Sequence, residues 1–545
     1  MPGPARRDLL KSAAGLSVAG VLREAAESAA AAEVEEPPSL RAQRREAVGR
    51  RRRLIYNDDG CGPLMQAGCR TREAFLAGPH SRMPAVTGTQ VDSVFFCSGA
   101  THVLNHPTAV AESYADVAER YGIGGEWAVF RDNLRALERT GTDAVRLMSQ
   151  HCRRHALEFV YSHRINDIHN TFLPVERSTW FREHPEYWLN TPEAAARAGG
   201  GNSPRHWWSA LDFGQPAVLE HLARIQEEVC SRYDVDGVEV DYFRSPMFFR
   251  PNLDYQPATP AQRAILTGFQ RRLREIHVRA GNRRSRPILT VARVPATVAA
   301  CRHVGIEIRT WLREGLVDLL TVGGGYIPFT EPVSELVRLA HGAGVPVYST
   351  LSASGLRGPE NRYSTAEAWR GAAAVLWRAG VDGLVIFNLF PTGPEPRFQE
   401  LGAPASLAGK NKLFAVDPVR ILEGDLVQGI EQRQALPLSL PADGAPATAR
   451  LPLGDDLAAA ERQGNLAGVA LRARLQPARA AAGVEVSLNR ARLTPERRDE
   501  TGGWIHLQPP ARRFRLGRNA VTFRRPGGLE GPVEVVLLEA EVRYR

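Results

Sequence analysis

One short stretch carries the most suggestive chemistry. In Asp236-Gly237-Val238-Glu239-Val240-Asp241-Tyr242-Phe243-Arg244 two acids alternate with valines. Side chains alternate along a strand, so Glu239 and Asp241 fall on one face, about 6.6 Å apart along the chain. Two carboxyls that close can divide the work of acid and base, provided that burial or a neighbouring charge keeps a proton on one of them near neutral pH. A plainer reading stands beside this one. Glu239 could pair with an inward arginine such as Arg164 or Arg293, which leaves Asp241, nearer the strand end, as the better site residue. Two further polar sets, Arg164-Ile165-Asn166-Asp167-Ile168-His169 and Asn57-Asp58-Asp59, each follow an apolar run. Asn166, Asp167, Asp58 and Asp59 also suit turns and caps, and His169 suits a plain surface position. A metal site built from Asp58, Asp59, Asp167 and His169 is a weaker alternative. The pairs His102 with His106 and His151 with His155 lack the Glu of a zinc-protease helix. No metal or cofactor is expected.

These groups need a scaffold, and the flanking pattern supplies one. From residue 51 to about 400, short apolar runs alternate with amphipathic helical stretches. The strand candidates are Leu54 to Asn57, Ser93 to Cys97, Leu157 to Ser162, Gly237 to Tyr242, Ile288 to Val294, Leu319 to Val322, Pro346 to Thr350 and Gly383 to Asn388. Helices lie between them, with Val218, Leu222, Ile225 and Val229 on one face. Eight such units predict an α/β fold, a (β/α)8 TIM barrel. A doubly wound open sheet is the alternative, disfavoured because no Gly-rich phosphate loop follows the first strand. In a barrel the carboxyl ends of the strands gather function. Arg244, Arg293, Tyr326 and Asn388 therefore join the acids as candidates to orient a ligand.

The segment between Asn170 and Phe213 is too long for a plain connection of roughly 2–6 residues. It holds Trp180, Phe181, Tyr187, Trp188, Trp207 and Trp208. Aromatics over a polar mouth suit sugars, whose apolar ring faces stack while their hydroxyls need hydrogen bonds. They could equally form a lid's own core, and the six divide between the two readings. Trp207 and Trp208 are taken as substrate candidates.

The run from Asp236 to Arg244 resembles the fourth-strand motif of glycoside-hydrolase-like barrels, an apolar strand ending in Asp-aromatic-x-Arg. His184-Pro185-Glu186-Tyr187-Trp188, followed by Ala210-Leu211-Asp212-Phe213, is similar to the loop between their third and fourth strands. The resemblance covers about residues 51–400. It implies cleavage of O-glycosidic bonds in a poly- or oligosaccharide, with Asp241 as nucleophile or base. Several such families take a second acid from the end of strand six, where this chain has Val322-Gly323-Gly324-Gly325-Tyr326. The partner must then be Asp167, Glu239, Asp59 or Asp58, with Asp167 or Glu239 expected as proton donor. If there is none, the barrel binds carbohydrate without cleaving it.

The chain has 545 residues and a formal charge of +9. That length exceeds one core. Its arginines are scattered, the densest run being Arg50 to Arg53, so a solvated basic surface is expected rather than a nucleic-acid groove. The six cysteines form no CxxC pair, and unpaired buried thiols are expected. No apolar run reaches the roughly 20 residues of a membrane span. Arg6-Arg7-Asp8-Leu9-Leu10-Lys11, a weakly apolar stretch and Ala30-Ala31-Ala32 resemble a twin-arginine signal peptide over residues 1–32. That implies the twin-arginine export machinery as a partner and a periplasmic or extracellular destination. Residues 33–50 read as a disordered linker, and the barrel is expected over 51–404. Alternating runs such as Val469 to Leu475 and Val533 to Tyr544 predict a smaller C-terminal antiparallel β-sandwich over 417–545. Two of its segments, Glu485 to Asn489 and Leu516 to Val521, resemble galactose-binding-like accessory modules.

Overall fold

The computed structural model describes residues 35–198, 204–357, 359–417, 436–527 and 529–545. The leader expected over residues 1–32 lies outside them. Eight strands close a barrel: β1 (Leu54–Asp58), β2 (Val91–Cys97), β3 (Glu158–Arg164), β4 (Gly237–Asp241), β5 (Leu289–Val294), β6 (Leu319–Val322), β7 (Val347–Ser352) and β8 (Gly383–Phe387). Every neighbouring pair is parallel, and β1 pairs with both β2 and β8. Each expected run is thus a strand. No helix among the described residues is long and apolar enough to cross a membrane.

Burial on both faces of each strand separates two cores. The outward residues join the large core beneath the helices. The inward ones, Ile55, Phe95, Val160, Leu289, Val291, Leu319, Tyr348 and Val385, form a small plug within the barrel. Ala47 and Val48 pack against that plug from below. They belong to α1 (Pro38–Val48), a helix over most of the stretch expected to be a disordered linker. The helix is held by Arg44, whose guanidinium donates to the Ile288 carbonyl at 2.8 Å and to Asp318 at 2.7 Å. Nor is the arginine run that follows wholly solvated. Arg52 is buried and forms two 2.7 Å hydrogen bonds with Glu158.

The C-terminal region is a sandwich of two antiparallel sheets. In spatial order, one has Lys412–Ala415, Glu534–Tyr544, Leu466–Gln476, Trp504–Leu507 and Arg497–Asp499, with Leu438–Ser439 also pairing Glu534–Tyr544. The other has Ala447–Leu453, Gly517–Arg524, Glu485–Leu488 and Ala491–Leu493. The first strand begins at Lys412, ahead of the expected start at 417. Five of the six cysteines are buried and all six are free thiols.

Candidate active site

The register of four strands builds the centre of the mouth. Arg164 on β3 lies opposite Asp241 on β4, Asp241 opposite Arg293 on β5, and Arg293 opposite Thr321 on β6. Val291, two residues before Arg293, belongs to the interior plug. Period-two alternation therefore turns this whole row inward, with one carboxylate between two arginines. Asp241 is ion-paired to Arg293 at 3.1 Å through Oδ2. Its Oδ1 accepts the backbone N–H groups of Phe243 at 3.0 Å and Arg244 at 2.9 Å.

Glu239 sits one layer deeper. Its two oxygens accept from Ser162 Oγ at 2.6 Å and Thr321 Oγ1 at 2.7 Å. Among the described residues no arginine hydrogen-bonds to it; Arg293 pairs with Asp241 instead. Burial, and then the charge of Asp241, push the Glu239 carboxyl up to about 7.

Beyond β3 the chain turns sharply, and its polar groups gather into a second cluster. Asp167 is buried, with Oδ1 2.6 Å from His169 Nδ1 and Oδ2 3.4 Å from Arg164 and 3.7 Å from Arg244. Arg244 Nη2 lies 2.7 Å from His169 Nε2. Burial pushes Asp167 up, but His169, Arg244 and Arg164 overcome it and hold the carboxyl well below the usual range. These partners favour the ionised form of Asp167, which suits a charged neighbour better than a proton donor.

A residue that the sequence reading passed over completes this cluster. Glu176, on a turn spanning Pro174–Glu176, is buried and accepts from Tyr114 Oη at 2.9 Å through Oε1. Its Oε2 is buried without a hydrogen-bond partner among the described residues. Burial, and then the charge of Asp167, push Glu176 up to about 7. One ligating atom each from Asp167, His169 and Glu176 lie within 4.8 Å of one another. That is a spacing a cation could use, but Arg164 and Arg244 flank Asp167 and would repel a divalent ion there. Asp58 and Asp59 do not join this set. Both bind Arg82, at 2.9 and 2.6 Å. Asp58 is pushed up by burial against the pull of Arg82.

The remaining candidates divide. Asn166 accepts the Leu211 N–H at 2.9 Å and donates to the Met247 carbonyl, so it ties three loops together. Asn388 takes a left-handed φ of 52° just past β8 and donates to Ser354 Oγ at 3.3 Å. Tyr326 is partly exposed, and its ring lies beside Gly324 with that of Phe243. No acid stands in the strand-six motif itself, but Glu331 folds back until a Cβ on Gly323 would lie 1.6 Å from its Oε1. Glu331 accepts from Ser349 Oγ at 3.0 Å. Ser349 alternates with the inward Tyr348, so this acid braces the loop from outside the barrel.

Trp208 is buried in the lid, 5.0 Å from the Trp188 ring and 6.0 Å from Phe181. Trp207 is half-buried against the same core. Among the described residues, the exposed aromatics on the loops that follow the strands include Phe172, 54% exposed after β3, Tyr255, 47% exposed after β4, and Phe390, 44% exposed after β8. No period or motif marks them in the sequence.

No protein-family model matches the chain, and no curated protein does. Solved structures similar to it include an α-L-fucosidase (isoenzyme 2) from Paenibacillus thiaminolyticus, at 13% identity over 66% of this chain and 49% of that one, TM-score 0.36. A GH36 α-galactosidase from Geobacillus stearothermophilus is similar at 11% identity over 89% and 56%, TM-score 0.35. The PgaB (BpsB) glycoside hydrolase domain from Bordetella bronchiseptica is similar at 12% over 66% and 97%, TM-score 0.38. The chain spans about half the length of the fucosidase and the galactosidase. The closed parallel ladder fixes the fold.

Proposed function

We propose that the chain is an exported hydrolase that cleaves O-glycosidic bonds in a poly- or oligosaccharide by two-carboxyl chemistry. The observation that carries this reading is the gathering of buried acids, Asp241 at the end of β4 and Asp167 with Glu176 on the loop after β3, at one barrel mouth. Its neighbours favour the ionised form of Asp167, while burial and the charge of Asp167 favour the protonated form of Glu176 beside it. Environments that push neighbouring carboxyls apart are how one fold runs acid and base chemistry together. Asp241, aligned by Arg293 and two backbone N–H groups, acts as nucleophile or base. Glu176 rather than Glu239 serves as donor. Burial favours a proton on both, but Glu239 has its oxygens engaged by Ser162 and Thr321, whereas Glu176 has one with no partner among the described residues. Leaving that oxygen unmet costs about 1–3 kcal/mol, which an incoming glycosidic oxygen would relieve. Asp167, with His169 and Arg244, keeps the charge that raises Glu176. The paired arginines of the leader carry the export part of the reading.

The test is hydrolysis of a broad glycan panel by the wild type, Asp241→Asn and Glu176→Gln. Asp241→Asn should abolish cleavage. Glu176→Gln should slow cleavage of native glycans by roughly 10²–10⁴-fold and much less for aryl glycosides whose leaving group needs no proton. Unchanged hydrolysis by Asp241→Asn removes that residue from the mechanism. A wild type that binds glycans and cleaves none is a carbohydrate-binding barrel instead.

A further inference from the structure

We propose that Phe172 and Phe390 are stacking platforms for two sugar rings of one oligosaccharide bound across the β8–β3 sector of the mouth. The inference rests on the glycoside reading above and names how its substrate is held. Most large apolar side chains of the described residues are buried, which makes these two rings, at 54% and 44% exposure, a cost left standing in the folded chain.

Neither ring is loose. Phe172 closes the turn after His169–Thr171, with its ring edge-on to His169 at 5.4 Å. The Arg82 guanidinium lies over the Phe390 ring at 4.3 Å and is itself fixed by Asp58 and Asp59. The preceding residue, Leu389, is anchored by Tyr56, whose hydroxyl donates to its carbonyl at 3.0 Å. Each ring is thus held by a residue of the mouth and still offers surface to solvent. Each also has hydrogen-bonding groups beside it: His169 and Arg244 near Phe172, Arg82 and Asp59 near Phe390. An apolar face bordered by donors and acceptors matches a pyranose ring, which has apolar C–H faces and a hydroxyl rim.

The strand order adds a length. Around the closed barrel β8 is followed by β1, β2 and β3. Three strand spacings separate the two loops, roughly 15 Å at the mouth. At that spacing each ring takes a different sugar of one chain. Asp59 and Arg164 stand in that sector, the Asp167–Glu176 cluster shares the Phe172 loop, and Asp241 lies one strand further on, so a chain stacked on both rings runs toward the groups assigned to chemistry at its Phe172 end.

The experiment uses full-length Asp241→Asn, so that the ligand survives, titrated calorimetrically with cello-, chito-, xylo- and maltohexaose. Phe172→Ala and Phe390→Ala in that background should each weaken binding of the preferred hexasaccharide about threefold to tenfold. Phe172→Tyr and Phe390→Tyr should restore it. The wild type is assayed for cleavage of the same four sugars in parallel. If both alanine variants bind as tightly as their parent, the platforms fall whatever the wild type cleaves. If they bind weakly while the wild type cleaves nothing, the platforms stand and the hydrolase reading falls. If no hexasaccharide binds or is cleaved, both fall.

Discussion

Asp241 takes its standing from its neighbours across the sheet. Arginines from β3 and β5 flank it, and a hydroxyl from β6 reaches past to Glu239 below. The stacking of an ion-paired acid above a protonated one has a consequence for stability. Folding raises Glu239 from 4.5 to about 7, so the folded chain binds more protons than the unfolded chain between those values. Its contribution is fully present below about pH 4.5 and is lost as pH rises through about 7. Glu239→Gln cannot ionise and escapes that loss. Its Tm should therefore gain on that of the wild type by a few degrees from about pH 5 to about pH 8. Taking the difference cancels the buried histidines, among them His163 and His277, which burial pushes down and which titrate in the opposite sense. A difference that stays flat with pH would show that Glu239 ionises as freely as in the unfolded chain. At this scale the alternation Val-Glu-Val-Asp was enough to find the pair, because strand periodicity fixes facing. Glu176, Phe172 and Phe390 were not legible. They sit on irregular loops, where spacing says nothing about direction.

The elements were more readable than the groups they carry. All eight strands announce themselves as apolar runs between helical periods, because both faces of a barrel strand are buried. The helix Pro38–Val48 did not. Its Glu-Glu-Pro-Pro lead-in and mixed charges look like linker, and its role depends on contacts made hundreds of residues away, with Ile288 and Asp318. Just beyond it, Arg52 closes the barrel floor by bonding Glu158 and the carbonyl of Ala47. Replacing Arg52 by Met would strand Glu158 as a buried charge with Ser93 as its remaining partner. Breaking such a pair typically costs about 3–5 kcal/mol, while replacing both partners by apolar groups costs far less. Arg52→Met should accordingly lower the denaturant midpoint sharply, and Arg52→Met with Glu158→Met should recover part of the loss. A double variant no more stable than the single one would mean that the carbonyl bonds of Arg52, not its pairing, hold the floor.

For the whole molecule, the sandwich completes the wall of the barrel's mouth. Asp417 Oδ2 accepts the N–H groups of Phe329 and Thr330 at 2.9 and 2.8 Å and the Thr330 hydroxyl at 2.8 Å, all on the loop after β6. The loop after β7 is tied by Arg362 to Glu539 at 2.6 Å and by Glu360 to Arg474 at 2.8 Å. The two bodies touch closely enough that a Cβ on Gly371 would lie 1.9 Å from the Leu413 carbonyl. None of this could be read from composition, which marks a change of pattern near residue 417 but not what the new pattern packs against. A seam of this kind makes the two parts one cooperative unit. The full chain should unfold in a single calorimetric transition. Asp417→Ala, which removes the acceptor of the Phe329 N–H and leaves the Thr330 N–H to the Ile327 carbonyl, at about 1–3 kcal/mol, should lower that transition as a whole. Two resolved transitions, with only one moved by Asp417→Ala, would mean that the barrel keeps its mouth in shape unaided.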